Sequence, residues 1–174
     1  MRTDKLEIER KFLIDMPDPA YLASAGSVTQ IEQTYLLRRE RGVTERVRKR
    51  GREGAWVYTH TCKKRISDVV RIEDEEEIGE TEYRELLLQA DPSRRAIQKR
   101  RWVLPYEGQE IEIDIYPFWD DRAILEIEME RETQQLRFPP QIRIIREVTA
   151  DRRYSNAALS REIPRDDIQK GRTI

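Results

Sequence analysis

The sequence is poor in the residues that build disulfide frameworks and histidine-rich metal sites. Its 174 residues include one cysteine, Cys62, and one histidine, His60. A single cysteine excludes an internal disulfide and fits a reducing compartment, so the cytoplasm is the expected location. A single histidine excludes a site built from several histidines, so any metal would be held mainly by carboxylates.

Long apolar runs and phosphate-binding glycine loops are also missing. No apolar run approaches the ~20 residues that a bilayer-spanning helix needs, and the polar first residues predict no signal peptide. None of the 7 glycines belongs to a glycine-rich phosphate loop, and His60 alone offers no Ser-His-Asp arrangement. No membrane partner is therefore expected, and a P-loop enzyme is excluded.

Charge, by contrast, is abundant and balanced. Charged residues make up 39% of the chain, and 33 basic residues nearly cancel 34 acidic ones. A general nucleic-acid binder would show a basic excess, so no nucleic-acid partner is expected. The length fits one domain over residues 1–174, with a core at about 5–160 and a polar C-terminal tail at 161–174.

Period-two alternation of apolar and charged residues recurs along the chain and predicts about eight strands. The predicted strands cover residues 6–14, 31–38, 44–50, 55–63, 70–78, 97–104, 110–115 and 125–130. Helices are predicted at 17–25, at 81–90 and from Asp151 through Leu159. A strand, a helix and three strands occur in that order twice, which indicates a βαβββ duplication.

The charges on these strands are sorted by sign into pairs at positions i and i+2. The acidic pairs are Glu7/Glu9, Glu75/Glu77, Glu112/Asp114 and Glu126/Glu128, and the basic pairs are Arg46/Arg48 and Lys99/Arg101. Such side chains share one face of a strand, where like charges about 7 Å apart repel by about 2 kcal/mol at an effective dielectric of ~20. The alternative is a solvated outer sheet face laced with salt bridges. The scarcity of Ser, Asn and Gln on the polar face favours instead an eight-stranded antiparallel barrel with that face inward.

A charged lumen of this kind suits a substrate with several phosphates. Arg and Lys bind phosphate oxygens, and clustered carboxylates hold Mg²⁺ or Mn²⁺, which phosphoryl transfer uses. His60 and Cys62 fall on the face away from Lys63, and we interpret both as structural residues.

An ordered series of motifs resembles the CYTH domain of the triphosphate tunnel metalloenzymes and covers about residues 5–160. The series comprises Glu7-Ile8-Glu9-Arg10-Lys11, Gln33-Thr34-Tyr35-Leu36, Arg46-Val47-Arg48, Thr61-Cys62-Lys63, Glu75-Glu76-Glu77-Ile78, Lys99-Arg100-Arg101-Trp102, Glu112-Ile113-Asp114, Glu126-Ile127-Glu128 and the ending from Glu147 to Asn156. Glu76 and Gly79 depart from this pattern, since an aromatic residue and a proline are common there. The tail after Pro164 extends beyond the usual end, either plugging a tunnel mouth or hanging free.

The resemblance implies an α+β fold, an eight-stranded antiparallel β-barrel tunnel with flanking helices. It also implies a Mg²⁺- or Mn²⁺-dependent hydrolase of inorganic tripolyphosphate or a related nucleoside or organic triphosphate. A class IV adenylate cyclase, a thiamine triphosphatase and a polyphosphate-binding module without turnover stay open as alternatives, as does a homodimer.

The resemblance further implies roles for individual residues. The implied ligands of a first metal are Glu7, Glu9, Glu126 and Glu128. The residues implied to serve a second metal or the attacking water are Glu75, Glu77 and Asp114. The residues implied to hold the triphosphate are Lys11, Arg46, Arg48, Lys63, Lys99 and Arg101. Asp151 matches an acidic position of the family without a definite role.

Overall fold

The computed structural model describes residues 4–165, which form nine strands, three short α-helices and one 3₁₀ turn. The strands are β1 (Asp4–Asp15), β2 (Ser27–Tyr35), β3 (Val43–Arg52), β4 (Ala55–Arg65), β5 (Val70–Ile78), β6 (Ile97–Tyr106), β7 (Gln109–Ile115), β8 (Arg122–Met129) and β9 (Ile144–Glu147). The helices are α1 (Pro19–Ala25), α2 (Glu80–Leu87) and α3 (Asn156–Leu159), and the 3₁₀ turn is Arg152–Tyr154. Within residues 4–165, no helix has the length and apolar character needed to cross a bilayer.

Eight of the nine strands close into an antiparallel barrel. The strand order is β5-β4-β3-β2-β6-β7-β8-β1, and β5 pairs back to β1 to complete the ring. Every neighbouring pair in this ring is antiparallel. The predicted barrel is therefore confirmed, together with the α+β class.

Strand β1 is the longest strand and has three partners. One of its edges pairs with β8 from Ile8 to Asp15. Its other edge is shared, because residues 4–8 pair with β5 and residues 12–14 pair with β9. The register with β9 shifts between Leu13 and Ile14, where the strand has a local irregularity. Four elements are thus held together through the first strand of the chain.

The predicted duplication appears in the topology. The order β1-α1-β2-β3-β4 is followed by β5-α2-β6-β7-β8. Exchanging the two units converts the β1–β8 pair into β5–β4 and the β2–β3 pair into β6–β7, while β1–β5 and β2–β6 map onto themselves. Strand pairing is therefore unchanged by the exchange, as two related halves require.

The main apolar core lies outside the barrel wall, beneath α1 and the segment that precedes β9. Ile14, Leu104, Ile113 and Leu125 are buried there and pack with Leu22 of α1. Because side chains alternate across a strand, burying this face turns the charged face of the same strands inward. The N-terminus of α1 is capped by Asp18, whose carboxylate accepts a hydrogen bond from the Ala20 amide.

A second apolar cluster closes one end of the barrel from the inside. Leu13, Tyr35 and Ile97 point into the lumen at this end and are fully or nearly buried. Tyr154 of the 3₁₀ turn and Leu159 of α3 pack against them. The C-terminal segment therefore forms a floor beneath the charged part of the lumen.

Several predicted element bounds change in the structure. The strand predicted at 31–38 begins at Ser27 and ends at Tyr35, after which Leu36 makes only an isolated bridge to Ala90. The helix predicted from Asp151 divides, because Ser155 has extended backbone angles and caps a new helix by accepting a hydrogen bond from Ala158. Residues 166–174, most of the predicted tail, lie outside the described part of the chain.

Candidate active site

The lumen contains a charged cavity of about 1100 Å³. Six residues of the predicted acidic pairs line it: Glu7, Glu9, Glu75, Glu112, Glu126 and Glu128. All of the predicted basic residues line it as well: Lys11, Arg46, Arg48, Lys63, Lys99 and Arg101. Residues that lie up to 121 positions apart in the chain are thus gathered around one space because the barrel closes between β1 and β8.

The acidic side of the cavity is built on β1, β5 and β8. Glu9 and Glu128 are directly opposite each other across the β1–β8 pair. The guanidinium of Arg71 donates a 2.7 Å hydrogen bond to Oε1 of Glu9. Lys63 donates a 3.2 Å hydrogen bond to Oε2 of Glu7 and is also 2.9 Å from Glu73. Basic side chains therefore hold carboxylates of β1 and β5 close together, and Glu128 of β8 lies opposite Glu9.

Glu7 and Glu73 form a hydrogen-bonded carboxyl pair whose pKa values are shifted in opposite directions. Burial raises the pKa of Glu7 to about 8, and the hydrogen bond with Glu73 and the charge of Glu9 act in the same direction. Burial would also raise the pKa of Glu73, but its hydrogen bond with Glu7 and the charges of Lys63 and Arg46 lower it overall. A carboxyl pKa that is raised by burial and by neighbouring carboxylates indicates excess negative charge, which a divalent cation would neutralise.

The donor set of this acidic side fits a hard cation. Glu7, Glu9, Glu126 and Glu128 all offer carboxylate oxygens, which Mg²⁺ and Mn²⁺ prefer. In the structure Glu7, Glu9 and Glu126 are paired with Lys63, Arg71 and Lys11, respectively. Cation binding would therefore exchange ion pairs within the cavity for metal–oxygen bonds.

Asp114 lies beneath the cavity surface and holds two of its basic residues in place. Its side chain is fully buried and accepts hydrogen bonds from Lys99 at 2.6 Å and from Arg101 at 2.7 and 2.8 Å. Burial lowers the pKa of Lys99 to about 8, although the Asp114 charge opposes this. Burial would raise the pKa of Asp114, but Arg101 and Lys99 outweigh it and lower that pKa.

Glu126 connects the two sides of the cavity. Lys11 lies 3.2 Å from its Oε1 and Arg101 lies 3.6 Å from its Oε2. Burial opposes ionisation of this carboxyl, but the charges of Lys11, Arg101 and Lys99 lower its pKa. Glu126 is therefore ionised at neutral pH and is shared between two cations.

Arg46 and Arg48 of β3 form the side of the cavity with spare hydrogen-bond donors. Their Nε atoms are buried and, within residues 4–165, have no hydrogen-bond partner. Burial, followed by the charge of Arg46, lowers the pKa of Arg48 to about 10. Buried donors of this kind are costly unless a ligand satisfies them, and phosphate oxygens suit guanidinium groups.

Two predicted residues lie elsewhere, and others were not predicted. Asp114 is below the cavity lining, and Glu77 is exposed and outside it. On β5 the cavity-facing run is Arg71, Glu73 and Glu75. Arg71 and Glu73 lie on the same strand face as Glu75 and Glu77. The period-two pattern that predicted Glu75 and Glu77 therefore also included Arg71 and Glu73. The charge pattern alone does not say where along a strand the cavity ends.

The floor of the cavity comes from the segment between the 3₁₀ turn and α3. Ser155, Asn156 and Ala157 line it there. Tyr116 donates a 2.6 Å hydrogen bond to Oδ1 of Asn156, which ties the floor to the end of β7. Asp151 is not among the lining residues, and its carboxylate caps the 3₁₀ turn by accepting a hydrogen bond from the Arg153 amide.

The chain is similar to known triphosphatases over most of its length. No protein-family model matches it. An inorganic triphosphatase of Nitrosomonas europaea is 33% identical over 162 residues, which are 91% of this chain and 99% of that protein. The crystal structure of the inorganic triphosphatase NE1496 covers 91% of this chain and 96% of its own, with a TM-score of 0.57 and 29% identity. HpAC1 from Hippeastrum, which has a dominant triphosphatase activity, covers 71% of this chain and 80% of its own at a TM-score of 0.51, and its 16% identity shows a shared fold alone.

Proposed function

The chain belongs to the CYTH family of triphosphate tunnel enzymes, and we propose that it hydrolyses inorganic tripolyphosphate in the charged cavity of its barrel. The observation that carries the proposal is the pairing of two surfaces within one cavity. Buried, unsatisfied Nε donors of Arg46 and Arg48 lie on one side, and a cluster of carboxylates around Glu7 lies on the other. An anionic substrate with several phosphates and a divalent cation would satisfy both at once.

The basic side chains bind and orient the phosphate chain. Arg46 and Arg48 supply planar guanidinium groups, which pair with two phosphate oxygens at a time. Lys63 supplies a point charge between the two sides of the cavity. The remaining substrate contacts are assigned to Lys11, Lys99 and Arg101. Asp114 is assigned a positioning role, because it fixes the last two through buried hydrogen bonds.

The acidic side holds the cation and orients water. We assign Glu7, Glu9, Glu126 and Glu128 to Mg²⁺ or Mn²⁺. When bound, such an ion polarises a phosphoryl oxygen and makes attack by water easier. Glu73 and Glu75 line the cavity where β5 approaches β1, and their carboxylates are assigned to orienting the attacking water. Glu77 receives no role, since it lies outside the lining.

The cytoplasm is proposed as the compartment, because the single cysteine of the chain needs no oxidising environment for folding.

A substrate panel tests the proposed function. Purified protein is incubated with tripolyphosphate, thiamine triphosphate, ATP or longer polyphosphate, with Mg²⁺ or Mn²⁺ and with or without a chelator. We expect phosphate release to be fastest from tripolyphosphate and to stop when the chelator is added. Cyclic AMP as the main product from ATP would overturn the hydrolase assignment in favour of a cyclase. Binding of tripolyphosphate without phosphate release would overturn it in favour of a binding protein.

A further inference from the structure

Three potential metal ligands converge on the outer face of the barrel, next to α2. They are Glu45 of β3 and His60 and Cys62 of β4, and one donor atom from each lies within 4.8 Å of the other two. Nε2 of His60 is 3.2 Å from Oε2 of Glu45. Cys62 is directly opposite Glu45 across the β3–β4 pair, and His60 precedes it by two residues on the same face. The three positions are thus fixed by strand geometry.

The group is separated from the charged cavity by the barrel wall. Arg46, Thr44 and Lys63, which alternate with the group along β3 and β4, line the cavity, whereas Glu45, His60 and Cys62 do not. The His60 and Glu45 side chains are 16% and 15% exposed, so solvent reaches them from outside. A ligand could therefore enter without passing through the cavity.

The donor chemistry differs from that of the cavity. A thiolate, an imidazole and a carboxylate form a mixed set that suits Zn²⁺ and related ions, whereas the cavity offers carboxylates alone. Tetrahedral coordination with bonds of about 2.0–2.3 Å places ligand atoms roughly 3.3–3.6 Å apart. The observed spread of 4.8 Å or less needs only small side-chain movements to reach that spacing.

We propose that Glu45, His60 and Cys62 bind a zinc-like divalent cation outside the catalytic cavity, with water completing the coordination. Binding would release the thiol proton of Cys62 and leave the imidazole neutral, so that each ligand presents a lone pair. Across the next strand pair, Asp74 and Glu76 of β5 lie directly opposite Cys62 and His60. Their negative charges favour a cation at this place.

A bound cation would link β3 to β4 through their outer faces. These two strands also carry Arg46, Arg48 and Lys63 on their inner faces. The expected effect is therefore on the stability of the β3–β4 hairpin, without a direct role in phosphate chemistry.

The competing interpretation is that His60 and Glu45 form an ordinary ion pair beside a small buried side chain. Both interpretations predict that His60→Gln destabilises the protein slightly. Only the metal site predicts an ion bound through sulfur, and the chain offers one thiol with which to detect it.

Cobalt titration distinguishes the two interpretations. Full-length protein without a histidine tag is stripped with a chelator and titrated with Co²⁺ in excess Mg²⁺, which keeps cobalt from the carboxylates of the cavity. We expect a near-ultraviolet thiolate-to-cobalt charge-transfer band that saturates at one equivalent per chain and disappears when Zn²⁺ is added. Since Cys62 is the only thiol, the band reports on this site alone.

Matched variants locate the ion. Cys62→Ser should abolish the band. Loss of an outer-shell partner weakens metal binding about 10- to 100-fold. His60→Gln and Glu45→Gln each remove a direct ligand and should weaken Zn²⁺ binding by at least that factor. Glu9→Gln, a change inside the cavity, should leave the band intact. The melting temperature of the Cys62→Ser variant should no longer rise when Zn²⁺ is added, and its tripolyphosphatase activity with Mg²⁺ should match that of the unaltered chain.

Three results would overturn the metal site. The first is the absence of the band in the unaltered chain. The second is a Zn²⁺ affinity within twofold of normal in both His60→Gln and Glu45→Gln. The third is a band whose absorbance per chain rises with protein concentration, because two chains then share the ion. None of them bears on triphosphate hydrolysis, which is measured separately in the same preparations.

Discussion

At the scale of single residues, the cavity is dominated by buried charges that are paired but not fully satisfied. Burying an ion pair costs several kcal/mol per ion, and the mutual attraction of the pair seldom repays more than that. This cost applies to Glu126, Lys11 and Arg101, which are all buried and ion-paired. A ligand that uses these charges gives a physical reason for their presence.

Glu9→Gln tests the cation-binding side of the cavity. The change keeps the size of the side chain but removes the charge that faces Arg71 and Glu128. We expect hydrolysis with Mg²⁺ to fall by at least about a hundredfold, because the cation supplies several kcal/mol of transition-state stabilisation. Initial rates of phosphate release measure the effect, and thermal melting monitors the fold. Glu82→Gln, an exposed change on α2, is the control and should behave like the unaltered chain; near-normal turnover in Glu9→Gln would contradict the metal assignment.

Lys63→Ala tests the substrate-binding side. Lys63 lies between Glu7 and Glu73 on the cavity wall. Loss of a charge-assisted contact of about 1.5–3 kcal/mol predicts a KM for tripolyphosphate that is raised about 10- to 100-fold, with a smaller change in kcat. Lys64→Ala provides a neighbouring control, since Lys64 is exposed on the opposite face of the same strand. Equal kinetics for the two variants would show that Lys63 does not contact substrate.

The positions of these residues were partly predictable from alternation. Period two correctly places Glu9, Lys63 and Arg48 on one face of their strands, because side-chain direction is a local property. It fails to separate Glu77 from Glu73, since both have the same phase and only the length of the cavity distinguishes them. It also cannot tell that Asp114 lies below the cavity surface, because depth depends on which residues pack on either side.

At the scale of elements, the strands that build the cavity are joined by tight turns with special backbone angles. The β3–β4 hairpin contains Gly51 with φ of +140° and Gly54 with φ of +80°. A Cβ atom at Gly51 would lie 2.2 Å from the carbonyl oxygen of Ala55, whereas one at Gly54 would meet nothing within 4 Å. The two glycines are therefore required for different reasons.

Alanine substitution at each position distinguishes the effect of steric overlap from the effect of backbone strain. Gly51→Ala adds a steric overlap to backbone strain and should lower the free energy of unfolding by about 3 kcal/mol. Gly54→Ala adds strain alone and should cost about 1 kcal/mol. Urea unfolding followed by circular dichroism measures both values. Equal losses in the two variants would mean that the turn relaxes away from the Ala55 carbonyl.

Elements without a period-two pattern of apolar and charged residues were not predicted from the sequence. Strand β9 has four residues, Ile144–Glu147, and begins with two adjacent isoleucines, so it has no period-two pattern to recognise. It exists because the second half of one edge of β1 is left open by β5. The floor formed by Ser155 and Asn156 was likewise missed, since its position depends on packing against Leu13 and Tyr35 from distant strands.

At the scale of the whole molecule, paired carboxylates make the free energy of unfolding depend on pH in the acid range. Among the groups whose pKa is lowered and that have basic partners are Glu73, Asp114, Glu126 and Asp151. The unfolded chain binds protons more readily than the folded chain at these sites. Their contribution is therefore complete above the ordinary values of 4.5 and 3.8 and is lost as the pH falls below them.

Acid titration of stability checks this expectation. We expect the free energy of unfolding in urea to decrease steadily as the pH is lowered from 4.5 to about 2, the pKa of Asp151. Glu7, with its pKa raised to about 8, acts in the opposite direction between pH 4.5 and 8 and leaves the acid range unaffected. A stability that is constant through the acid range would contradict the ion pairs described for these four groups.

The closure of the barrel was predictable mainly through the family resemblance. Alternation indicates that strands exist, but it contains no information on which strand pairs with which. The pairing of β1 with both β5 and β8 joins residues that are far apart in sequence, and it follows from how the two duplicated units interlock.

The three partners of β1 also set the order of events when the protein is made. Strand β1 leaves the ribosome before β8, with which it forms its longest pairing, and before β9. Until both have emerged, the nascent chain keeps in water a strand with one apolar face and unpaired backbone hydrogen-bonding groups, a state prone to aggregation. The barrel can therefore close only after β8 has been synthesised, and a topology with so many non-local pairings predicts slow folding for a domain of this size.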